Sequence, residues 1–203
     1  MQEVINSMLM KLDSFTYNHS VRTMSIAVEV EEYLKMDNHE LSVAALLHDL
    51  GKIYVAPAIL DKTSSLNVIE RELVDLHSYV GYMLLKDMKI DERICRIVLY
   101  HHGFEPITLS DIGEFTDSEV RNKARMLHTI DVFEALTSDR PYHRGLPSRD
   151  ALSLMKESDF HEKILLFLDN VIQEERNSAV RRNFEENKNN IMSTLGYIHA
   201  KIA

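Results

Sequence analysis

The sequence predicts an all-α fold, and three observations carry that prediction. Apolar residues recur at three- and four-residue spacing through most of the chain, and the 203 residues include only six glycines and four prolines, so helices can run uninterrupted. Two polar pairs, Asp37 with Glu40 and Asn67 with Glu70, have the spacing of capping boxes at helix starts. With 45% hydrophobic residues the chain has enough apolar side chain to bury a core in one domain with an extension.

Taken in order, residues 1–17 place Val4, Ile5, Met8, Leu9 and Leu12 at helical spacing and predict a short amphipathic helix. Residues 18–35 predict a second, with His19, Ile26, Val30 and Tyr33 on one inward stripe. The Asp37–Glu40 box opens a third, whose inner face runs Leu41, Ala44, Ala45, His48 and which Gly51 is expected to stop. Residues 51–66 carry Pro57, Thr63, Ser64 and Ser65 and read as a loop, with Val55, Ile59 and Leu60 packed down on the core. A fourth helix starts at Asn67, with Leu73, Leu76, Val80 and Leu84 as its apolar stripe and His77 within it. The fifth starts at Asp91, turns Ile94, Ile97 and Val98 inward, and ends in His101-His102 before Gly103. Residues 103–116 form a polar loop. Residues 117–138 form a long helix whose inward series Val120, Ala124, Leu127, Asp131, Ala135 has a carboxylate where an apolar residue belongs. Residues 148–155 and 161–175 are further helical segments. The tail, 176–203, carries Phe184, Ile191, Leu195 and Ile198 as the spaced apolar positions of a last helix, which could fold back on its own domain or pair with a second copy of the chain to make a homodimer. The division is therefore a domain over 1–175 and a helical extension over 176–203.

Charge and cysteine usage exclude several classes of function. A formal net charge of -9 disfavours bulk nucleic acid and anionic membrane surfaces as partners, though it does not bear on a small phosphorylated ligand held in a local pocket. Cys95 is the only cysteine, which rules out an intrachain disulfide and multi-cysteine zinc sites and suits a cytoplasmic location. No apolar run is long enough to span a bilayer, and the first residues lack the layout of a signal peptide.

The chemistry centres on Leu46-Leu47-His48-Asp49-Leu50-Gly51-Lys52, which sets an imidazole, a carboxylate and an ammonium group at the end of an apolar helix. An ionised carboxylate in that setting needs hydrogen bonds, a cation or a metal to compensate it. One inward histidine is most often a satisfied core residue. Here His19, His48, Asp49, His77, His101, His102 and Asp131 all fall at inward positions or helix ends, and one or two metal ions would satisfy them together. Imidazoles and carboxylates without thiolates suit two divalent ions and do not discriminate well among iron, manganese, nickel, cobalt and zinc; iron, manganese and nickel are the first expectation, with zinc or cobalt as further candidates. A pair of such ions suits hydrolysis of a phosphate ester. By contrast, His128 reads as a packing residue or a support to a ligand, and His39, His143, His161 and His199 have no comparable support as ligands.

These motifs resemble the HD phosphohydrolase superfamily. Ala44-Ala45-Leu46-Leu47-His48-Asp49-Leu50-Gly51-Lys52-Ile53 is similar to the signature of its HD-GYP subfamily. The likeness continues through His19-Ser20-Val21-Arg22, Ile59-Leu60-Asp61-Lys62, His77 with Gly81, His101-His102, and the stretch from Asp131 to Tyr142. The resemblance implies an HD-domain helical bundle in which His19, His48, Asp49 and Asp131 hold one metal and Asp49, His77, His101 and His102 a second. It also implies that Asp49 and Lys52 act in catalysis, and that Lys52, Arg140, His143 and Arg144 contact the phosphates of a cyclic dinucleotide. The implied activity is hydrolysis of cyclic di-GMP, or of its linear product pGpG, in signalling. Two departures stand out: Gly103-Phe104-Glu105-Pro106-Ile107-Thr108-Leu109 replaces the loop that carries Gly-Tyr-Pro, and Phe15 stands where three-metal members carry Glu. The second favours two metals. The first leaves room for two alternatives, an HD phosphohydrolase of a mononucleotide or other small phosphate ester, and a nucleotide-binding signalling module without turnover.

Overall fold

The computed structural model describes residues 2–103, 117–139 and 144–175, and these are helical, with no strand among them. The expectations placed on the 103–116 loop beyond Gly103, on Arg140 and His143, and on the 176–203 extension lie outside the described residues. The elements in order are α1 (Gln2–Leu9), α2 (Ser14–Leu34), α3 (Glu40–Leu47), a 3-10 turn (Leu50–Tyr54), α4 (Pro57–Leu60), α5 (Val68–Asp75), α6 (His77–Asp87), α7 (Glu92–Tyr100), α8 (Ser118–Thr137), α9 (Ser148–Met155) and α10 (Glu162–Glu175). Among the described residues, no helix is long and apolar enough to cross a membrane.

Helix α3 is the centre of the bundle. All eight of its residues are buried, and it packs against α2, α7 and α8. Its sequence explains this: Leu41, Val43, Ala44, Ala45, Leu46 and Leu47 are apolar on every side, and a helix without a polar face must be enclosed. Helix α6 packs on α7 and the 3-10 turn, while α9 and α10 pack on α8.

Several boundaries differ from expectation for identifiable reasons. The first expected helix ends at Leu9, and α2 starts at Ser14 because Asp13 caps it, accepting from the Thr16 amide at 2.9 Å. The Asp37–Glu40 box does not form. His39 is the N-cap of α3 without a side-chain cap bond, and the buried Glu31 carboxylate accepts from the Ser42 amide instead, at 2.9 Å. Glu40 turns inward to Lys123 Nζ at 2.6 Å and Arg93 Nε at 3.0 Å, tying α3 to α8 and α7. The Asn67–Glu70 box does form, with both reciprocal bonds. The helix it opens breaks at Leu76, however, so Leu73 and Leu76 are 46% exposed rather than buried. Tyr33 is likewise 45% exposed, its ring against Phe167.

Gly51 does not stop α3, which ends at Leu47; it lies inside the 3-10 turn. A Cβ there would sit 2.0 Å from the His77 carbonyl oxygen and 2.8 Å from the Gly81 amide nitrogen. The glycine is needed for close approach of two backbones, and that approach sets His48, Asp49 and Lys52 against His77.

Candidate metal centre

Three of the site histidines sit at the C-terminal end of a helix, and each uses the same local device. His48 follows α3, His77 follows α5 and opens α6, and His101 follows α7. Their Nδ1 atoms donate to the carbonyls three residues back: His48 to Ala45 O at 2.7 Å, His77 to Val74 O at 2.5 Å and His101 to Val98 O at 2.6 Å. The last carbonyls of a helix lack intrahelical partners, so the ring satisfies one of them while its own orientation is fixed. A carbonyl only accepts, which places the proton on Nδ1 and leaves the Nε2 lone pair facing inward.

Those lone pairs converge. His77 Nε2 lies 3.4 Å from His101 Nε2 and 3.2 Å from His102 Nε2. On the other side, His19 Nε2 is 2.9 Å from Asp131 Oδ1, and His48 Nε2 is 3.8 Å from the same oxygen. Asp49 lies between the two groups, with Oδ1 3.2 Å from His77 Nε2, and Oδ2 3.5 Å from His48 Nε2 and 3.8 Å from His19 Nε2. Lys52 Nζ pairs with Asp49 Oδ2 at 2.8 Å. His48 Nε2 and Asp49 Oδ1 are buried without a hydrogen-bond partner.

Such an arrangement fits a cation. Two imidazole lone pairs facing each other at 3.4 Å repel unless a proton or a metal lies between them. A proton is disfavoured: burial pushes the His77 imidazole down to about 3, holds His101 well below its ordinary value and lowers His102 as well. The carboxylates are ionised. Burial opposes the charge on Asp49, but His48, Lys52 and His77 hold it well below the usual range, and His19 and His48 do the same for Asp131. His19 differs from the other rings: burial lowers it, yet Asp131 and Glu134 raise it to about 9, so it carries a proton that a bound cation would replace. His77, His101 and His102 form one set able to hold a metal, and His19, His48 and Asp131 another.

The structure thus brings together His19, His48, Asp49, Lys52, His77, His101, His102 and Asp131, as the sequence predicts. Arg144 is exposed where the chain passes the C-terminal end of α8, and no described hydrogen bond or ion pair joins it to the cluster. One residue that contacts the cluster is not among those the sequence singles out. Glu134 is buried one turn after Asp131; it bonds His19 Nδ1 and Arg22 Nε and accepts from Ser138 Oγ at 2.5 Å. It does for His19, which lies mid-helix in α2, what the carbonyls do for the other rings. The signal was present in the spacing, since Asp131 and Glu134 at i and i+3 share a helix face.

An all-helical bundle with this His/Asp cluster in its core is the architecture of a metal-binding hydrolase domain of HD type. Residues 16–136 match the sequence model of the HD domain, and the chain belongs to that family. It is 32% identical over 153 residues, 73% of this chain and 37% of the relative, to the cyclic di-GMP phosphodiesterase PA4108 of Pseudomonas aeruginosa. It is 31% identical over 147 residues, 71% of this chain and 32% of the relative, to 3'3'-cGAMP-specific phosphodiesterase 3 of Vibrio cholerae. The chain spans about a third of the length of these curated relatives. The HD domain of L. monocytogenes phosphodiesterase PgpH superposes with a TM-score of 0.52 at 16% identity, covering 95% of this chain and 97% of that one, which supports the fold.

Proposed function

We propose that the chain is a metal-dependent phosphodiesterase of HD-GYP type that hydrolyses a cyclic dinucleotide, cyclic di-GMP in the first instance, to its linear product. The observation that carries this reading is the place of Asp49 between the two ligand sets, with Oδ1 3.2 Å from His77 Nε2 and Oδ2 3.5 Å from His48 Nε2. His19, His48, Asp49 and Asp131 would hold one divalent ion, and Asp49, His77, His101 and His102 a second. Imidazoles and carboxylates without a thiolate suit divalent iron, manganese, nickel, cobalt or zinc, and the metal series in the test below includes the first three. Bound there, the ions supply Lewis acidity toward a phosphodiester and activate water at neutral pH. The chain's own part is to orient the His48, His77 and His101 rings through their Nδ1 bonds to backbone carbonyls and to keep Asp49 and Asp131 ionised. It also places the Lys52 ammonium beside Asp49, within reach of a phosphate oxygen. The relatives named above act on cyclic dinucleotides, which favours that substrate class over a mononucleotide.

The test is to load the purified chain in turn with manganese, iron and nickel and incubate it with cyclic di-GMP, 3'3'-cGAMP, pGpG and mononucleotides, following products by chromatography. A linear dinucleotide from a cyclic one is the expected product, and Lys52→Ala keeps its metal while turnover falls. Full metal content with no turnover of any of these substrates would overturn the reading and favour a binding module; turnover of mononucleotides alone would favour the small-ester alternative.

A further inference from the structure

One more imidazole faces this centre. His128 lies on α8 one turn before Asp131; it is half-buried, and its Nδ1 is buried without a hydrogen-bond partner. The ring stacks on Phe160, with centroids 5.6 Å apart and planes 24° from parallel, and meets His102 edge-on at 6.2 Å. Phe160 is itself packed against the hydrophobic core, so the imidazole is held from behind and faces the exposed His102.

An ordinary packing histidine satisfies its buried nitrogen, because leaving a polar atom buried and unpaired costs about 1–3 kcal/mol. His161 also leaves Nδ1 unpartnered, but its Nε2 meets Asn122 Oδ1 at 3.0 Å and it belongs to none of the ligating groups. His128 does belong to one. His102, His128 and Asp131 each offer a ligand atom, and these atoms lie within 4.8 Å of one another. A divalent ion with bonds of about 2.1 Å sets its ligand atoms roughly 3 to 4.2 Å apart, so small side-chain rotations close the set. Two imidazoles and a carboxylate also form a donor set of the same kind as the inner ones.

We propose that His128, with His102 and Asp131, forms a third cation position at the open edge of the centre, taking a divalent transition-metal ion more weakly than the inner positions. This rests on the reading of the centre as a metal site. The weaker affinity follows from there being three protein ligands, from the exposure of His102, and from the sharing of His102 and Asp131 with the inner sets, since His102 reaches a second ion only through its other nitrogen, which must release its proton to solvent. An ion at this edge keeps coordination positions open to solvent or to a phosphate oxygen.

The experiment is calorimetric titration of the metal-free full chain with nickel(II), in parallel with His128→Asn and His128→Phe. Phenylalanine keeps a ring against Phe160 and removes the nitrogens. The wild type is expected to show two tight binding events and one weaker one, and both variants to keep the tight events and lose the weaker. Circular dichroism checks that each variant is folded, and should one fail, the other decides. Two events in the wild type, or three events in a folded variant, would overturn the third position and leave the dinuclear reading intact. No binding by the wild type would overturn both.

Discussion

Replacing Gly51 with alanine tests whether the centre depends on the close approach of the 3-10 turn to α6. The added Cβ would lie 2.0 Å from the His77 carbonyl oxygen and 2.8 Å from the Gly81 amide nitrogen, against an ordinary contact of at least 3.4 Å. The obstructing atoms are backbone, so no side-chain rotation relieves the clash, and the two segments must separate by about 1.4 Å. Overpacking of this kind costs about 3 kcal/mol, and for a chain of this size each kcal/mol shifts Tm by roughly 2–4 °C, so a drop of roughly 6–12 °C is expected. The same shift pulls Asp49, on one side of the contact, from His77, on the other, now 3.2 Å apart. Metal-ligand distances tolerate only about 0.2 Å, so the variant should lose the ion shared by Asp49 and His77 before the one at His19, His48 and Asp131. Gly81→Ala is the control. Its Cβ would meet Val98 Cγ1 at 3.4 Å and the Gly51 nitrogen at 3.5 Å, and alanine is the better helix former, so its net change should stay within about 1 kcal/mol. Thermal unfolding with metal analysis of both variants checks this; a Gly51→Ala protein with wild-type Tm and metal content would refute the reasoning.

Three further outcomes follow from other parts of the fold. Glu134→Gln removes the charge that orients His19, and metal affinity measured by chelator competition should fall about 10- to 100-fold with helical content unchanged. Lys123→Met strips Glu40 of its 2.6 Å partner and leaves it only Arg93, so denaturant unfolding should show a loss of about 3 kcal/mol. Burial pushes the Cys95 thiol up to about 12, so the folded chain keeps that proton where an unfolded thiol, at its ordinary 9.0, has lost it. The unfolded state therefore binds fewer protons between those values, and stability falls as pH rises through that window. At pH 8 alkylation of Cys95 should be slower in the folded than in the urea-unfolded chain by on the order of a thousandfold, read by mass spectrometry.

Much of the centre was legible in the sequence because its histidines and aspartates interrupt apolar periodicity. Asp131 stands in the series Val120, Ala124, Leu127, and His48 ends a helix with no polar face, so each announced itself as a buried polar group needing a partner. Glu134 was less legible, because a glutamate three residues past Asp131 and outside the apolar series reads as a surface charge until His19 and Arg22, more than 100 residues away in sequence, are brought to it. The Asp37–Glu40 box failed for a similar reason. Local spacing favoured a cap, but tertiary pairing with Lys123 and Arg93 claimed Glu40. Glycine after an apolar helix most often stops it, whereas at Gly51 the absent Cβ makes room for His77. His128 reads as packing in the sequence, and only the fold puts its ring between Phe160 and His102 at the edge of the site.

The shared role of Asp49 is the point on which the account turns, and metal content tests it directly. Wild type and Asp49→Ala would be loaded with manganese under the same conditions, passed through a desalting column and analysed by inductively coupled plasma mass spectrometry. The wild type should retain two tightly held ions per chain, and Asp49→Ala, still folded by circular dichroism, should retain neither. An Asp49→Ala protein that keeps two ions would contradict the bridging carboxylate and, with it, the dinuclear centre.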